Sequence, residues 1–363
     1  EINFDAALSP IAGHWRLIGT GAWDVAWLND LAGGLGFGRL LWPLALLAVT
    51  VAGWLLAQRQ RRGVSRVFMV VGVGLLATST VAVARMPEPV DDWQQGCQAL
   101  SSRLLDLSEP EDVLVADYLP YGRHLDLATS ILERYKAAPP YWGWARQEPV
   151  SESRQALLGA LTRGYRRLWL ALESTPETDP ASTTERWLDE HAYRVESEWL
   201  SSALRVVRYE LPSKALDGMP QASLDLRLGE AIQLVGYEPA GPIAARPGTV
   251  LTFSLYWRAE RAVFDDYVVF AQLLDPQGSL AAQVDRSPVG GFRPTSSWQP
   301  AELIRDNYGL ELPEALPPGS YTLIAGLYLP STMERLAVSD ASGAPLGNYA
   351  VLTDIDVEAG EVR

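Results

Sequence analysis

The sequence contains very little cysteine and histidine. Cys97 is the single cysteine among 363 residues, so an intrachain disulfide and a cysteine-based metal site are both excluded. The three histidines stand at positions 14, 124 and 191, which leaves little material for a histidine-ligated metal centre. We therefore predict a protein without a metal ion or another cofactor.

Positive charge is also scarce. Lys and Arg number 30 against 44 Asp and Glu, which gives a formal net charge of −14. An acidic exterior repels phosphate backbones, so nucleic acid is excluded as a partner. The sequence also lacks a Gly-x-Ser-x-Gly elbow and a spaced Ser, His and Asp set. Nothing in its pattern is typical of a hydrolase site.

Two long uncharged runs stand out near the N-terminus. Residues 40–57 and 67–84 are each 18 residues long, which with their flanks is enough to cross a bilayer. The segment between them, 58–66, has four Arg and no acid, and such short loops stay cytoplasmic. We predict a transmembrane helical hairpin at 37–86, after an external loop or interfacial segment at 1–36. The protein is then a multi-pass cell-membrane protein whose remaining domains are extracytoplasmic, with the lipid bilayer as a partner.

The chain begins at Glu1 and shows no secretory signal pattern. We expect a processed chain or the C-terminal portion of a longer one.

Residues 91–213 alternate helical and strand patterns. Short apolar segments such as EDVLVAD (111–117) and RRLWLALE (166–173) are typical of strands covered on both faces. Apolar residues recur at helical spacing at 91–106, before the strand at 111–117, and again at 125–136, after it. The alternation predicts a small α/β domain with a partly parallel sheet.

Ligands of such sheets bind beyond the carboxyl ends of the strands. The segment after the first strand carries Tyr118, Tyr121, Arg123 and His124, which can stack on and hydrogen-bond a sugar or a lipid phosphate. Alternatively, it is an ordered surface loop whose aromatic residues cover the sheet edge. Two possibilities likewise remain for Trp142, in the segment Tyr-Trp-Gly-Trp: its side chain either makes an external contact or packs in the core.

Residues 226–358 change to a period of two with frequent turn signals. About eight strands predict a β-sandwich of immunoglobulin-like or jelly-roll type, and the pattern does not choose between them. Trp257 and Trp298, with Tyr256 and Tyr267, either stack on a glycan or belong to the core. The predicted fold class is thus multidomain: a transmembrane helical hairpin, a small α/β domain and an all-β sandwich.

The segments EDVLVAD, RRLWLALE, LTFSLYWRA and LPPGSYTLIAGLY carry a resemblance. The chain resembles the C-terminal part of bacterial membrane glycosyltransferases of the GT-C type, which are similar to protein mannosyltransferases and aminoarabinose transferases. The resemblance implies transfer of a sugar from a polyprenyl-phosphate carrier to a glycan or protein acceptor, with the external domains as accessory parts. The catalytic carboxylates of that family lie in a first external loop that has no counterpart here, so no catalytic residue is assigned. The alternative is a two-span anchored module whose sandwich binds a glycan or a protein.

Overall fold

The computed structural model describes residues 2–3, 16–18, 92–119, 121–134, 139–145, 152–173, 183–214, 216 and 218–359. Within them, the helices are α1 (Asp92–Leu107), α2 (Tyr121–Arg134), α3 (Glu152–Gly164) and α4 (Thr183–His191). The first strands are β1 (Ile2–Asn3), β2 (Arg16–Ile18), β3 (Asp112–Leu119), β4 (Tyr141–Ala145), β5 (Arg167–Leu172), β6 (Tyr193–Trp199) and β7 (Arg205–Glu210).

The remaining strands belong to the C-terminal half. They are β8 (Ala222–Leu228), β9 (Ile232–Glu238), β10 (Ile243–Ala245), β11 (Val250–Ala259), β12 (Val268–Leu274), β13 (Leu280–Arg286), β14 (Leu303–Glu311), β15 (Gly319–Leu329), β16 (Glu334–Arg335), β17 (Val338–Ser339), β18 (Pro345–Gly347) and β19 (Ala350–Val357). One sheet has the order β1-β2-β4-β3-β5-β7-β6-β14-β11-β9-β8-β17-β18. The other has the order β10-β19-β15-β12-β13, with β16 paired to β15.

The membrane part of the predicted fold class requires correction. Among the described residues, no helix is both long enough and apolar enough to cross a membrane. A span needs about 20 residues of predominantly apolar helix, whereas the longest described helix, α1, has 16 residues and is amphipathic. The described fold is instead dominated by β-sheet, and the predicted transmembrane hairpin and multi-pass membrane localisation are corrected accordingly. The two apolar runs, 40–57 and 67–84, lie outside the described residues.

Helices cover both faces of the first half of the large sheet. Strands β2, β4, β3 and β5 are parallel, and β7 then pairs antiparallel with β5. On one face, α1 and α2 contribute Leu100, Leu104 and Leu127 to a cluster that contains Trp169. On the other face, residues of α3 and α4 pack over the alternate side chains of β3 and β5. This layering explains why all six residues of β5 are buried.

The second half of the large sheet faces the six-stranded sheet and forms a sandwich with it. Alternate residues of β11, such as Phe253, Leu255 and Trp257, point into a shared core. Strand β12 of the opposite sheet contributes Val269, Ala271 and Leu273 to the same core. The period of two in the sequence is therefore the period of burial in this part of the chain.

The large sheet continues from the helix-covered half into the sandwich through a single strand pair. Strand β6 lies parallel to β14, with Arg194 opposite Tyr308. So short a pairing gives few backbone hydrogen bonds, and side chains must hold the two halves together. Arg286 does so from β13, because its guanidinium donates to the carbonyl oxygens of Arg194 (3.1 Å) and Asn307 (2.7 Å).

A buried ion cluster lies at this junction. Glu185 and Asp189 stand one turn apart on α4, so both carboxyl groups point to the same side of the helix. The Arg194 guanidinium lies between them, 2.7 Å from Asp189 Oδ1 and 2.6 Å from Glu185 Oε1. Arg205 also binds Glu185. Because three of these groups are almost inaccessible to water, each charge depends on its partners.

Replacing Arg194 tests this dependence. Arg194→Met leaves the Asp189 carboxyl group buried without its cation, which costs about 3–5 kcal/mol in the free energy of unfolding. Urea denaturation of the variant and the wild type measures the difference. Arg246→Ala is the matched control, because the Arg246–Glu358 pair (3.2 Å) is well exposed and contributes about 0–1 kcal/mol. A loss below about 1 kcal/mol for Arg194→Met would contradict the assigned role.

Asp306, also at the junction, makes stability depend on pH. Burial raises the pKa of Asp306 from 3.8 to about 6, although Arg286 and the Tyr308 hydroxyl oppose the rise. Folding therefore favours the protonated form, and this stabilisation is present below the unfolded pKa and lost as the pH rises through about 6. The rise of the Asp306 pKa from 3.8 to about 6 corresponds to about 3 kcal/mol in the free energy of unfolding. We expect Asp306→Asn to lose less stability than the wild type between pH 4 and 7 in chemical denaturation. Identical pH profiles for the two proteins would show that Asp306 does not titrate in this way.

Candidate functional site

The carboxyl ends of the parallel strands carry one buried and one half-buried ion pair. Asp117 lies near the end of β3, and Glu173 follows β5 directly. Arg154, in the first turn of α3, places Nη1 3.4 Å from Asp117 Oδ1, and Arg123, in the first turn of α2, is ion-paired with Glu173. The Arg123 guanidinium also lies over the Trp93 ring, 4.9 Å from its centroid. Each arginine thus has an acid as its partner, and the pairs attach the starts of two helices to the sheet.

The predicted ligand loop at this edge is not a loop. Tyr118 belongs to strand β3, and Tyr121, Arg123 and His124 form the first turn of helix α2. The helix begins four residues before the predicted position, because its first turn is polar and shows no apolar periodicity. The side chains of Tyr118, Tyr121 and His124 lie outside the described residues. Among the four, Arg123 alone has a described side chain at this edge.

Trp142 is not brought to the same place as Arg123. It lies in β4, is half-buried, and packs against the cluster formed by α3 and α4. Arg123 lies over Trp93, which belongs to the cluster on the opposite face of the sheet. The sheet therefore separates these two predicted site residues.

The predicted stacking residues of the sandwich are in its core. Trp257 is fully buried, and Trp298 is 2 % exposed. Their ring centroids are 6.5 Å apart, and the Trp298 Nε1 donates a hydrogen bond to the Arg293 carbonyl oxygen at 2.8 Å. Neither ring has a face open to a glycan. Tyr256 is also buried, and Tyr267 is half-buried at a strand entrance.

The six-stranded sheet has an outer face that the sequence reasoning did not identify. We define it by Phe270, Gln272, Gln283, Asp285, Tyr328 and Arg335. Five of these side chains alternate with the core residues of β12, β13 and β15, and Arg335 lies on β16, opposite Tyr328. Gln283 and Asp285 are exposed, Gln272, Tyr328 and Arg335 are half-buried, and Phe270 is buried. The face therefore presents planar polar groups to solvent.

Hydrogen bonds join the polar groups of the outer face into a row. Arg335 Nη2 donates to Gln272 Oε1 at 3.1 Å, and Gln272 Nε2 donates to Gln283 Oε1, also at 3.1 Å. The Arg335 guanidinium covers the Phe270 ring, 4.0 Å from its centroid. A cation over an aromatic face is held in place by the ring quadrupole. The row is therefore ordered before any ligand arrives.

An aromatic residue and an acid complete the outer face. The Tyr328 ring lies 6.4 Å from Phe270, centroid to centroid. Burial raises the pKa of the Asp285 carboxyl group, whereas its hydrogen bond with Tyr328 and the charge of Arg335 act in the opposite direction. Together these groups offer donors, acceptors and part of an aromatic ring on one surface.

Comparisons with known proteins give no assignment. No protein-family model matches the chain, and no curated protein matches it. Among solved structures, the chain is similar to the C-terminal domain of wzt at 14% sequence identity and a TM-score of 0.28, covering 39% of this chain and 84% of that one. It is also similar to a Niemann-Pick type C2 protein from the Japanese carpenter ant at 7% identity and a TM-score of 0.21, covering 36% of this chain and 94% of that one. Scores at this level support no inference about function.

The outer face depends on a glycine. An added Cβ at Gly326 would lie 2.4 Å from Phe270 Cζ, so Gly326→Ala must displace the ring beneath Arg335. We expect a loss of about 1–3 kcal/mol in the free energy of unfolding, measured by chemical denaturation. Gly164→Ala is the control, since an added Cβ there meets nothing within 4 Å. Equal stabilities of the two variants would show that Phe270 is not held closely against the sheet.

Proposed function

We propose that this protein is a glycan-recognition module whose binding surface is the outer face of the six-stranded sheet. The observation that carries the proposal is the hydrogen-bonded row of Arg335, Gln272 and Gln283. Sugar hydroxyl groups both donate and accept hydrogen bonds, and planar amide and guanidinium groups can meet two neighbouring hydroxyls at once. Because the row is already ordered, binding costs little side-chain entropy.

The other members of the outer face suit the same ligand. The Asp285 carboxyl group accepts hydrogen bonds from hydroxyls, and the half-buried Tyr328 ring offers an apolar surface for the C–H groups of a sugar ring. Gln283 and Arg335 lie at opposite ends of the row, so more than one sugar unit can contact it. The resemblance to glycosyltransferases remains a prediction, and it gives this module the accessory role of holding an acceptor glycan.

A glycan array probed with the full chain, followed by titration calorimetry on any retained glycan, tests the proposal. We expect Gln283→Ala and Arg335→Ala each to weaken binding by about tenfold or more, which is about 1.4 kcal/mol per tenfold. Circular dichroism checks that each variant is folded. Arg246→Ala, an exposed arginine that is not in the outer face, should bind as the wild type does. Retention of no glycan, or wild-type affinity in both outer-face variants, would overturn the proposal.

A further inference from the structure

The two sheets end in strands of very different length. In the described part of the chain, the large sheet ends at β1, with two residues, and at β18, with three, of which the first is Pro345. The six-stranded sheet ends at β10, with three residues, and at β13, with seven. Short strands and proline limit the pairing of a sheet edge with another chain. Three of these edges are therefore protected, whereas β13 is long enough to pair.

Strand β13 also lacks other features that protect an edge. It contains neither lysine nor proline, and the charges of Asp285 and Arg286 cancel. Its ladder partner among the described strands is β12 alone. Ala282 and Val284 pack against the sandwich core, yet both remain only half-buried. One side of β13 therefore offers backbone N–H and C=O groups, together with partly exposed apolar side chains, to another strand.

The sequence of β13 is suited to pairing with a second copy of itself. A bulge near its start leaves residues 282–286 as the regular part, with Val284 at the centre. In an antiparallel pair with a twofold axis at Val284, Gln283 lies opposite Asp285 of the second copy. No like charges face each other in this register. An axis at Asp285 would instead place two carboxyl groups opposite each other, which is destabilising.

The side chains of the paired residues fit on both faces of the sheet. On the outer face, Gln283 accepts from Gln272 through Oε1, so its amide N–H groups can donate to the Asp285 carboxyl group of the second copy. On the core side, Arg286 lies opposite Ala282 of the second copy, whose small side chain leaves space beside the guanidinium. That guanidinium already donates to two carbonyl oxygens of its own chain, so pairing does not leave it without partners.

We propose that two copies of this chain associate through β13, antiparallel about a twofold axis at Val284, and join their six-stranded sheets into one continuous sheet. The contact is isologous, so it closes as a dimer. The row from Arg335 to Gln283 is then followed on the same surface by the corresponding row of the second copy. A long glycan can bind both rows at once, which raises its apparent affinity. This consequence rests on the proposed function, whereas the association itself does not.

Sedimentation velocity of the full chain over a dilution series tests the association, which we expect to appear as a monomer–dimer equilibrium. Gln283→Glu places a carboxyl group opposite Asp285 of the second copy and should weaken the association by about tenfold or more. Gln283→Lys is the matched control at the same exposed residue. It places an ammonium group opposite that carboxyl group, so the dimer should be as strong as in the wild type or stronger. Chemical denaturation checks that both variants are folded.

Two results would overturn the inference. The first is a chain that stays monomeric at every concentration. The second is a dimer that both variants weaken equally or that neither affects, since pairing in this register must respond to the sign of the charge at position 283. The glycan array separates this inference from the proposed function. A monomer that retains a glycan would contradict the dimer alone, whereas a dimer that retains none would contradict the proposed function alone.

Discussion

The position of the sandwich relative to the rest of the molecule depends on the buried charge of Arg194. Its strand, β6, pairs with β14 through a single registered residue pair, so backbone hydrogen bonds alone give little rigidity. The guanidinium binds two acids of α4, while the carbonyl oxygen of the same residue accepts from Arg286 of the opposite sheet. One residue therefore connects a helix, the large sheet and the six-stranded sheet.

The surroundings of this arginine are adapted to it. Gly290, in the turn after β13, has a positive φ of 62°, and an added Cβ would lie 2.2 Å from Asp189 Oδ2. The turn can approach the ion pair closely because it has no side chain there. Next to it, Val289 donates its backbone N–H to Asp306 Oδ1 at 2.8 Å. The loop between the sheets is thus fixed by the same polar layer that joins the two halves.

Much of the regular structure follows from periodicity in the sequence. The predicted strands at 111–117 and 166–173 and the predicted helix at 91–106 coincide with β3, β5 and α1, because apolar residues there recur with the period of burial. The predicted β region began at residue 226, so it left out the first four residues of β8 (Ala222–Leu228). The predicted transmembrane hairpin falls at 37–86, outside the described residues, and no described helix could cross a membrane.

Functional residues were harder to predict than elements, for a physical reason. Trp257 was chosen as a stacking residue because it is aromatic, yet it alternates with Tyr256 and lies on the core side of β11. The residues of a strand that face the core can be identified only when its partner strands are known. The alternation of apolar and polar residues has the same period of two whichever face is buried. The outer face also requires Gly326, Phe270 and Arg335 to meet from three strands, and their sequence separation gives no sign of that meeting.

The division between a rigid polar junction and an exposed polar row has a consequence for recognition. A row of amide and guanidinium groups distinguishes ligands by the direction of their hydroxyls, so its orientation must not fluctuate. A junction made only of apolar contacts would permit many similar packings, whereas buried ion pairs tolerate few geometries. Under the proposed function, the cost of burying Arg194, Asp189 and Glu185 is offset by holding the outer face in one direction. On this argument, weakening the junction would reduce ligand selectivity before it abolished binding.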